Sequence, residues 1–208
     1  MEIEYKGGTS IKLKAGSVNV VIDPKLSLIG GTDLKLDDVI EIVTEQGQAI
    51  DSDKQKLLIE GPGEYEVSNV SVKGVAAKSY RDSRLKTTLY RIDMAGFRLA
   101  IIGNVEAKLS ESQLEELGVV DIISIPVGGN GHTLNAHEAA ALVRQLDPKI
   151  VIPVHYKDKS LKYETDQDDL DGFLKELGAT QHEEHEKLKL KAGTTLPAIL
   201  TVIEVKRS

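Results

Sequence analysis

The sequence predicts a mixed α/β fold in which β-sheets are covered by helices. Three observations carry this expectation. The first half of the chain is a succession of short alternating or β-branched segments separated by turn residues. The second half alternates continuous apolar runs with capped helical segments, as strand–helix–strand units do. No low-complexity linker, composition break or repeat interrupts the 208 residues, so one domain over residues 1–208 is expected.

The elements follow in order. MEIEYK alternates, and Gly7 and Gly8 turn the chain. In TSIKLKAG, Ile11 and Leu13 alternate with Lys12 and Lys14, which suits a half-buried strand. SVNVVIDP is a β-branched run closed by Asp23 and Pro24, and DVIEIV and KLLIEG are short apolar runs that end in turn residues. YEVSNVSVKGVAA alternates around a turn at Ser68–Asn69, and TTLYRID and FRLAIIG form a hairpin around Met94–Gly96. SESQLEELG opens on Ser110 and closes on Gly118 as a short helix. VVDIISIPVGG is a buried strand. The helix that follows has Asn135 as N-cap, Glu138 three residues later and Pro148 beyond its end. KIVIPVHY is a further buried strand, QDDLDGFLKELGA an amphipathic helix, and KLKLKAG and AILTVIEVK are terminal strands.

The totals exclude several classes of function. With no Trp and two Phe, the core must be aliphatic. A net charge of −7 argues against nucleic acid or an anionic membrane as partner, because phosphate binding needs a basic face. The absence of cysteine removes disulfides and thiolate metal sites. No signal-like start and no long apolar run are present, so a cytoplasmic protein is expected. No G-x-S-x-G elbow occurs, and the glycines at 128, 129 and 131 do not follow a nucleotide-binding spacing.

Taken in order, VVIDPKL, GPGEYEVSNVSVKGV, AIIGN, VVDIISIPVGG, HEAAALVRQLDPK and VIPVHYK resemble the metallo-β-lactamase superfamily. Within it they are similar to the Zn-dependent hydrolases of the ascorbate-6-phosphate lactonase type. The resemblance implies an αββα sandwich: two mixed β-sheets face to face with helices on the outer faces. It also implies a metal centre at the strand ends, introduced by a His-x-His-x-Asp-His loop. Zinc hydrolysis needs imidazoles and carboxylates around an open position, so that bound water is deprotonated near neutral pH.

Here the resemblance places that loop on residues 47–52, where Asp51 is the one ligand type among Gly47, Gln48, Ala49, Ile50 and Ser52. Gly7 and Gly8 stand where the family has Gly-His, Arg81 falls near its middle His, and Asn104 replaces its bridging Asp. His155 is retained, and no histidine precedes His132. Asp51 and His155 are therefore relic catalytic candidates, and Arg81, Asn104, His132 and His155 are candidate ligand-binding residues. Arg81 is expected to pair with Asp51, a fixed cation offsetting the carboxylate that the missing ions would have neutralised. His137 is expected at the surface, and His182 and His185 on a solvated charged face at helical spacing.

Three functions follow. The first is a non-catalytic binding or interaction module with no metal cofactor, whose pocket accepts a small anionic molecule. The second is a lactonase- or phosphoesterase-like hydrolase with a rebuilt, mononuclear site drawn from Asp51, Asn104, His132 and His155, with Asp51, His132 and His155 as the candidate zinc ligands. The third is a partner subunit that binds an active paralogue, a protein partner in place of a small molecule. Ligand arithmetic ranks the first highest, since catalytic zinc normally uses three protein ligands.

Overall fold

The computed structural model describes residues 1–208. The first half supplies β1 (Glu2–Gly7), β2 (Ser10–Ala15), β3 (Val18–Ile22), β4 (Ile40–Ile42), β5 (Leu57–Ile59), β6 (Gly63–Val67), β7 (Val70–Lys78), β8 (Lys86–Met94) and β9 (Phe97–Ile101). The second half supplies α1 (Glu111–Leu117), β10 (Ile122–Pro126), α2 (Ala136–Leu146), β11 (Ile150–Val154), α3 (Leu170–Leu177), β12 (His182–His185), β13 (Leu188–Lys189) and β14 (Thr201–Val205). A single 3-10 turn, Leu26–Ile29, follows β3.

Two mixed sheets result. The smaller runs β13-β1-β2-β3-β4-β5 and the larger β12-β14-β11-β10-β9-β8-β7-β6. In the smaller sheet β1, β2 and β3 are antiparallel, and β3, β4 and β5 are parallel. In the larger, β6 to β9 form an antiparallel meander, and β9, β10, β11, β14 and β12 are parallel.

The period-two pattern explains the sandwich. Ile3, Tyr5, Val20 and Ile22 from one sheet meet Tyr90, Ile92, Ile150 and Ile152 from the other in a dry interior. β10 and β11 are apolar on both faces because both are covered: Ile122 and Ile152 point to the inter-sheet core, whereas Ile123 and Val151 pack under the helices. All three α-helices lie on the outer face of the larger sheet, where Leu117, Leu142, Val143 and Phe173 are fully buried. The outer face of the smaller sheet is closed by a small cluster of Val21, Leu36 and Val39.

Local chemistry sets the boundaries. Ser68 and Asn69 both have positive φ, 53° and 60°, and join β6 to β7 in a two-residue hairpin. Ala95 and Gly96 do the same between β8 and β9. Ser110 and Asn135 each make a reciprocal capping box, with Gln113 and Glu138. Besides the outer face of the smaller sheet, which is covered by loop residues and not by an α-helix, one element departs from expectation. His182 and His185, expected at helical spacing, lie on the edge strand β12, parallel to β14. Four residues are too few to nucleate a helix, and pairing with Val202–Val205 satisfies their backbone instead. No helix is long and apolar enough to cross a membrane.

Candidate functional site

The parallel strands of the two sheets end on the same side, and the chain leaves all of these ends but that of β10 carrying a polar residue. Asp23 follows β3, Thr44 and Glu45 follow β4, Asn104 follows β9, Gly128 follows β10 and His155 follows β11. Such strand ends are the usual ligand-binding edge of a parallel sheet.

Asp23 is the hub. Its backbone is left-handed, with φ 45°, and its N–H donates to the Ile42 carbonyl. Thr9 Oγ1 and Thr44 Oγ1 donate to its Oδ2, both at 2.7 Å, and the Thr44 N–H donates to Oδ1 at 2.8 Å. Burial outweighs these bonds and pushes its carboxyl up to about 6. Glu45 forms the next wall: its Oε1 accepts from Ser79 Oγ at 3.2 Å and its Oε2 from Asn104 Nδ2 at 3.2 Å. That bond turns the Asn104 Oδ1 inward, where it is buried with no partner in the protein.

His155 also has a left-handed backbone, φ 51°. Its N–H donates to the Gly8 carbonyl at 2.9 Å, and its ring lies 4.9 Å from that of Tyr163, centroid to centroid. Burial, and secondarily His132, pulls its imidazole down to about 4, so the ring is neutral at neutral pH. Asp23 and His155 thus both hold a left-handed backbone at the strand ends that face this cleft. At the mouth, Glu164 Oε2 lies 3.2 Å from Arg81 Nη2 and 3.6 Å from His132 Nε2.

Arg81, Asn104, His132 and His155 thus gather at this end of the sandwich. Asp51 does not, and its expected pair with Arg81 is not formed: Asp51 is exposed and makes no hydrogen bond or ion pair, and Arg81 pairs with Glu164. The reason lies in where β4 stops. Glu45 is the side chain that meets the cleft. By Ile50 the chain has turned back beneath the smaller sheet, where the Ile50 N–H donates to the buried Glu41 and the side chain packs against the outer cluster. The carboxylate of this loop is therefore Glu45, two residues past the end of the apolar run. Asp23, Glu45, Tyr163 and Glu164 were missed from the sequence. The Asp-Pro that closes a β-branched run and the first charge after VIEIVT are the signals for the first two.

The cleft has two compartments. A cavity of about 40 Å³ is lined by Ser10, Asp23, Lys25, Gln48, Asn104 and His155, among others. Beyond Glu45 opens a cleft of about 790 Å³ whose walls include Ser79, Arg81, Arg84 and Lys86. The donor chemistry does not fit a zinc pair. No three side chains of His, Cys, Asp or Glu converge on a point that could hold a metal ion. The two nearest carboxylates are already engaged, Asp23 by three donors and Glu45 by two.

A family model described as a β-lactamase superfamily domain matches residues 2–155. A UPF0173 metal-dependent hydrolase of Lysinibacillus sphaericus is 29% identical over 195 residues, covering 75% of this chain and 85% of the relative. A Listeria monocytogenes protein of the same description is 24% identical with the same coverage. Among solved structures, one from Thermotoga maritima described as a Zn-dependent hydrolase of the metallo-β-lactamase superfamily superposes with a TM-score of 0.80 at 26% identity, over 99% of each chain. A metallo hydrolase from Ignicoccus hospitalis superposes with a TM-score of 0.66 at 16% identity, over 99% of this chain and 94% of its own, a likeness of fold.

Proposed function

The chain belongs to the β-lactamase superfamily, and within that frame we propose that it is a binding module rather than a two-metal hydrolase. One observation carries this reading: the strand ends converge, but on amides, hydroxyls and engaged carboxylates in place of three free metal ligands. On this reading the chain has lost most of the superfamily's metal ligands. The ligand is a small molecule with an anionic group, held at the mouth by Arg81 and His132. In the free protein the exposed Glu164 carboxylate bridges those two residues, which come from different loops. An incoming carboxylate or phosphate takes its place, and a guanidinium suits either geometry.

Inorganic phosphate tests this by titration calorimetry. Arg81→Ala is expected to weaken phosphate binding by about tenfold or more, the loss of one charge-assisted contact. Glu164→Gln is expected to strengthen it several-fold by removing the internal competitor. Equal affinities in wild type and both variants would remove the mouth as the anion site.

The second reading is a metal-dependent hydrolase with a rebuilt zinc site, and the comparisons favour it. The relatives above are described as metal-dependent hydrolases and the Thermotoga maritima structure as Zn-dependent, descriptions that fit zinc better than no cofactor. Such a site could not use Asp51, which points away. It would have to recruit His132 and His155 together with Asp23 or Glu45, breaking the hydrogen bonds those carboxylates now accept.

A further inference from the structure

The inner cavity has a chemistry of its own. Ser10 Oγ, Asn104 Oδ1 and His155 Nδ1 are buried without a hydrogen-bond partner in the protein, and all three residues line the same space of about 40 Å³. A buried polar atom left without a partner is destabilising, so three around one cavity mark a place built to meet a ligand. Asp23 adds a buried carboxylate that is in no ion pair. It accepts three hydrogen bonds, whereas a carboxylate has about four acceptor positions.

The walls therefore offer acceptors: the Asn104 oxygen, the remaining Asp23 position, the neutral His155 nitrogen and the Ser10 hydroxyl, which rotates to suit. What complements them is a compact group with several N–H donors and a positive charge to offset Asp23. A water molecule occupies about 30 Å³ in the liquid and an ammonium group is of similar size, so one such group fits. Water supplies only two donors and no charge. Alkali ions prefer all-oxygen shells, and the imidazole nitrogen, a poor ligand for a hard cation, readily accepts an N–H.

We propose that the cavity formed by Ser10, Asp23, Asn104 and His155 binds an ammonium group, either the free ion or the tip of a primary amine. This rests on the reading that the cleft binds ligands without a metal pair. Lys25 lines the cavity, and its side chain makes no hydrogen bond or ion pair there, so it does not fill the acceptor set.

The test is thermal unfolding at constant ionic strength with ammonium, methylammonium, sodium, potassium or tetramethylammonium chloride. Ammonium is expected to raise Tm in the millimolar range; a methylammonium response as well assigns the site to an amine tip, and its absence to the free ion. Sodium, potassium and tetramethylammonium are expected to match one another with no specific rise. Ser10→Ala removes an unpartnered hydroxyl, so it is expected to fold at least as well as wild type while weakening the ammonium response about fivefold, one hydrogen bond's worth. Lys25→Met is expected to strengthen that response. No ammonium effect, an equal effect of potassium, or an undiminished effect in Ser10→Ala would overturn the proposal and leave the cavity to water. Phosphate binding at Arg81 and His132 is read separately on the same protein, so either site can fail alone.

Discussion

Substituting His155 with asparagine is expected to tilt stability against pH by about 3 kcal/mol relative to wild type. In the folded protein the His155 imidazole titrates at about 4, below its ordinary 6.5. Between those values the unfolded chain binds a proton that the folded one does not, so His155 makes stability rise with pH across that window. Asp23 does the opposite. Its carboxyl titrates at about 6 when folded, against an ordinary 3.8, so the folded state holds the extra proton and stability falls as pH rises from about 4 to 6. Each displacement is worth about 3 kcal/mol, and the two slopes nearly cancel. His155→Asn, which tolerates the left-handed backbone, removes the rising contribution: its stability relative to wild type should drop by about 3 kcal/mol between pH 4 and 6.5. Asp23→Asn should show the reverse, gaining about the same amount over wild type from pH 4 to 6. Urea unfolding at a series of pH values measures both. Variant curves that run parallel to the wild type would mean that neither group is perturbed by burial.

Gly128→Ala is expected to cost about 3 kcal/mol or more and to damage the cleft at the same time. A Cβ on Gly128 would lie 2.2 Å from the His155 carbonyl oxygen and 2.4 Å from Gln167 Oε1. Neither contact is the free end of an exposed chain. His155 is anchored by its bond to Gly8, and Gln167 is buried and bonded to Thr165. Relief therefore requires the ends of β10 and β11 to separate, which moves His155 off the cavity. Gly131→Ala, on the same loop, is the control: nothing lies within 4 Å of its added Cβ, so only the strain of its φ of +77° remains. A Gly128→Ala protein as stable as Gly131→Ala would show that the strand ends are not clamped as described.

Much of the sandwich was legible because local and global signals agree. The positive-φ pairs at Ser68–Asn69 and Ala95–Gly96, the caps at Ser110 and Asn135, and the doubly apolar runs of β10 and β11 all follow from patterns within a few residues. The edge strand β12 was not legible, because HEEH carries no apolar alternation and is shaped only by pairing with β14. The candidate site was half legible. Arg81, Asn104, His132 and His155 lie in the cleft region as the resemblance implies, but the loop after β4 meets the cleft at Glu45, earlier in the chain than Asp51. Its true register depends on where Thr44 meets Asp23, a contact between residues 21 positions apart that no local pattern announces. The Arg81 partner is illegible for the same reason: Glu164 lies far along the chain, in the segment between β11 and α3, and meets Arg81 only in the folded structure.

The proposal of a binding module without a metal pair rests on donor chemistry, and zinc calorimetry on untagged, chelator-treated protein tests it most directly. Catalytic zinc sites hold their metal through three protein ligands, so a cleft without such a set should bind substoichiometrically, or with a Kd above roughly 10 μM. One or two equivalents of zinc taken up at roughly nanomolar affinity, and lost on His155→Asn, would contradict the account and return the protein to the hydrolases it resembles.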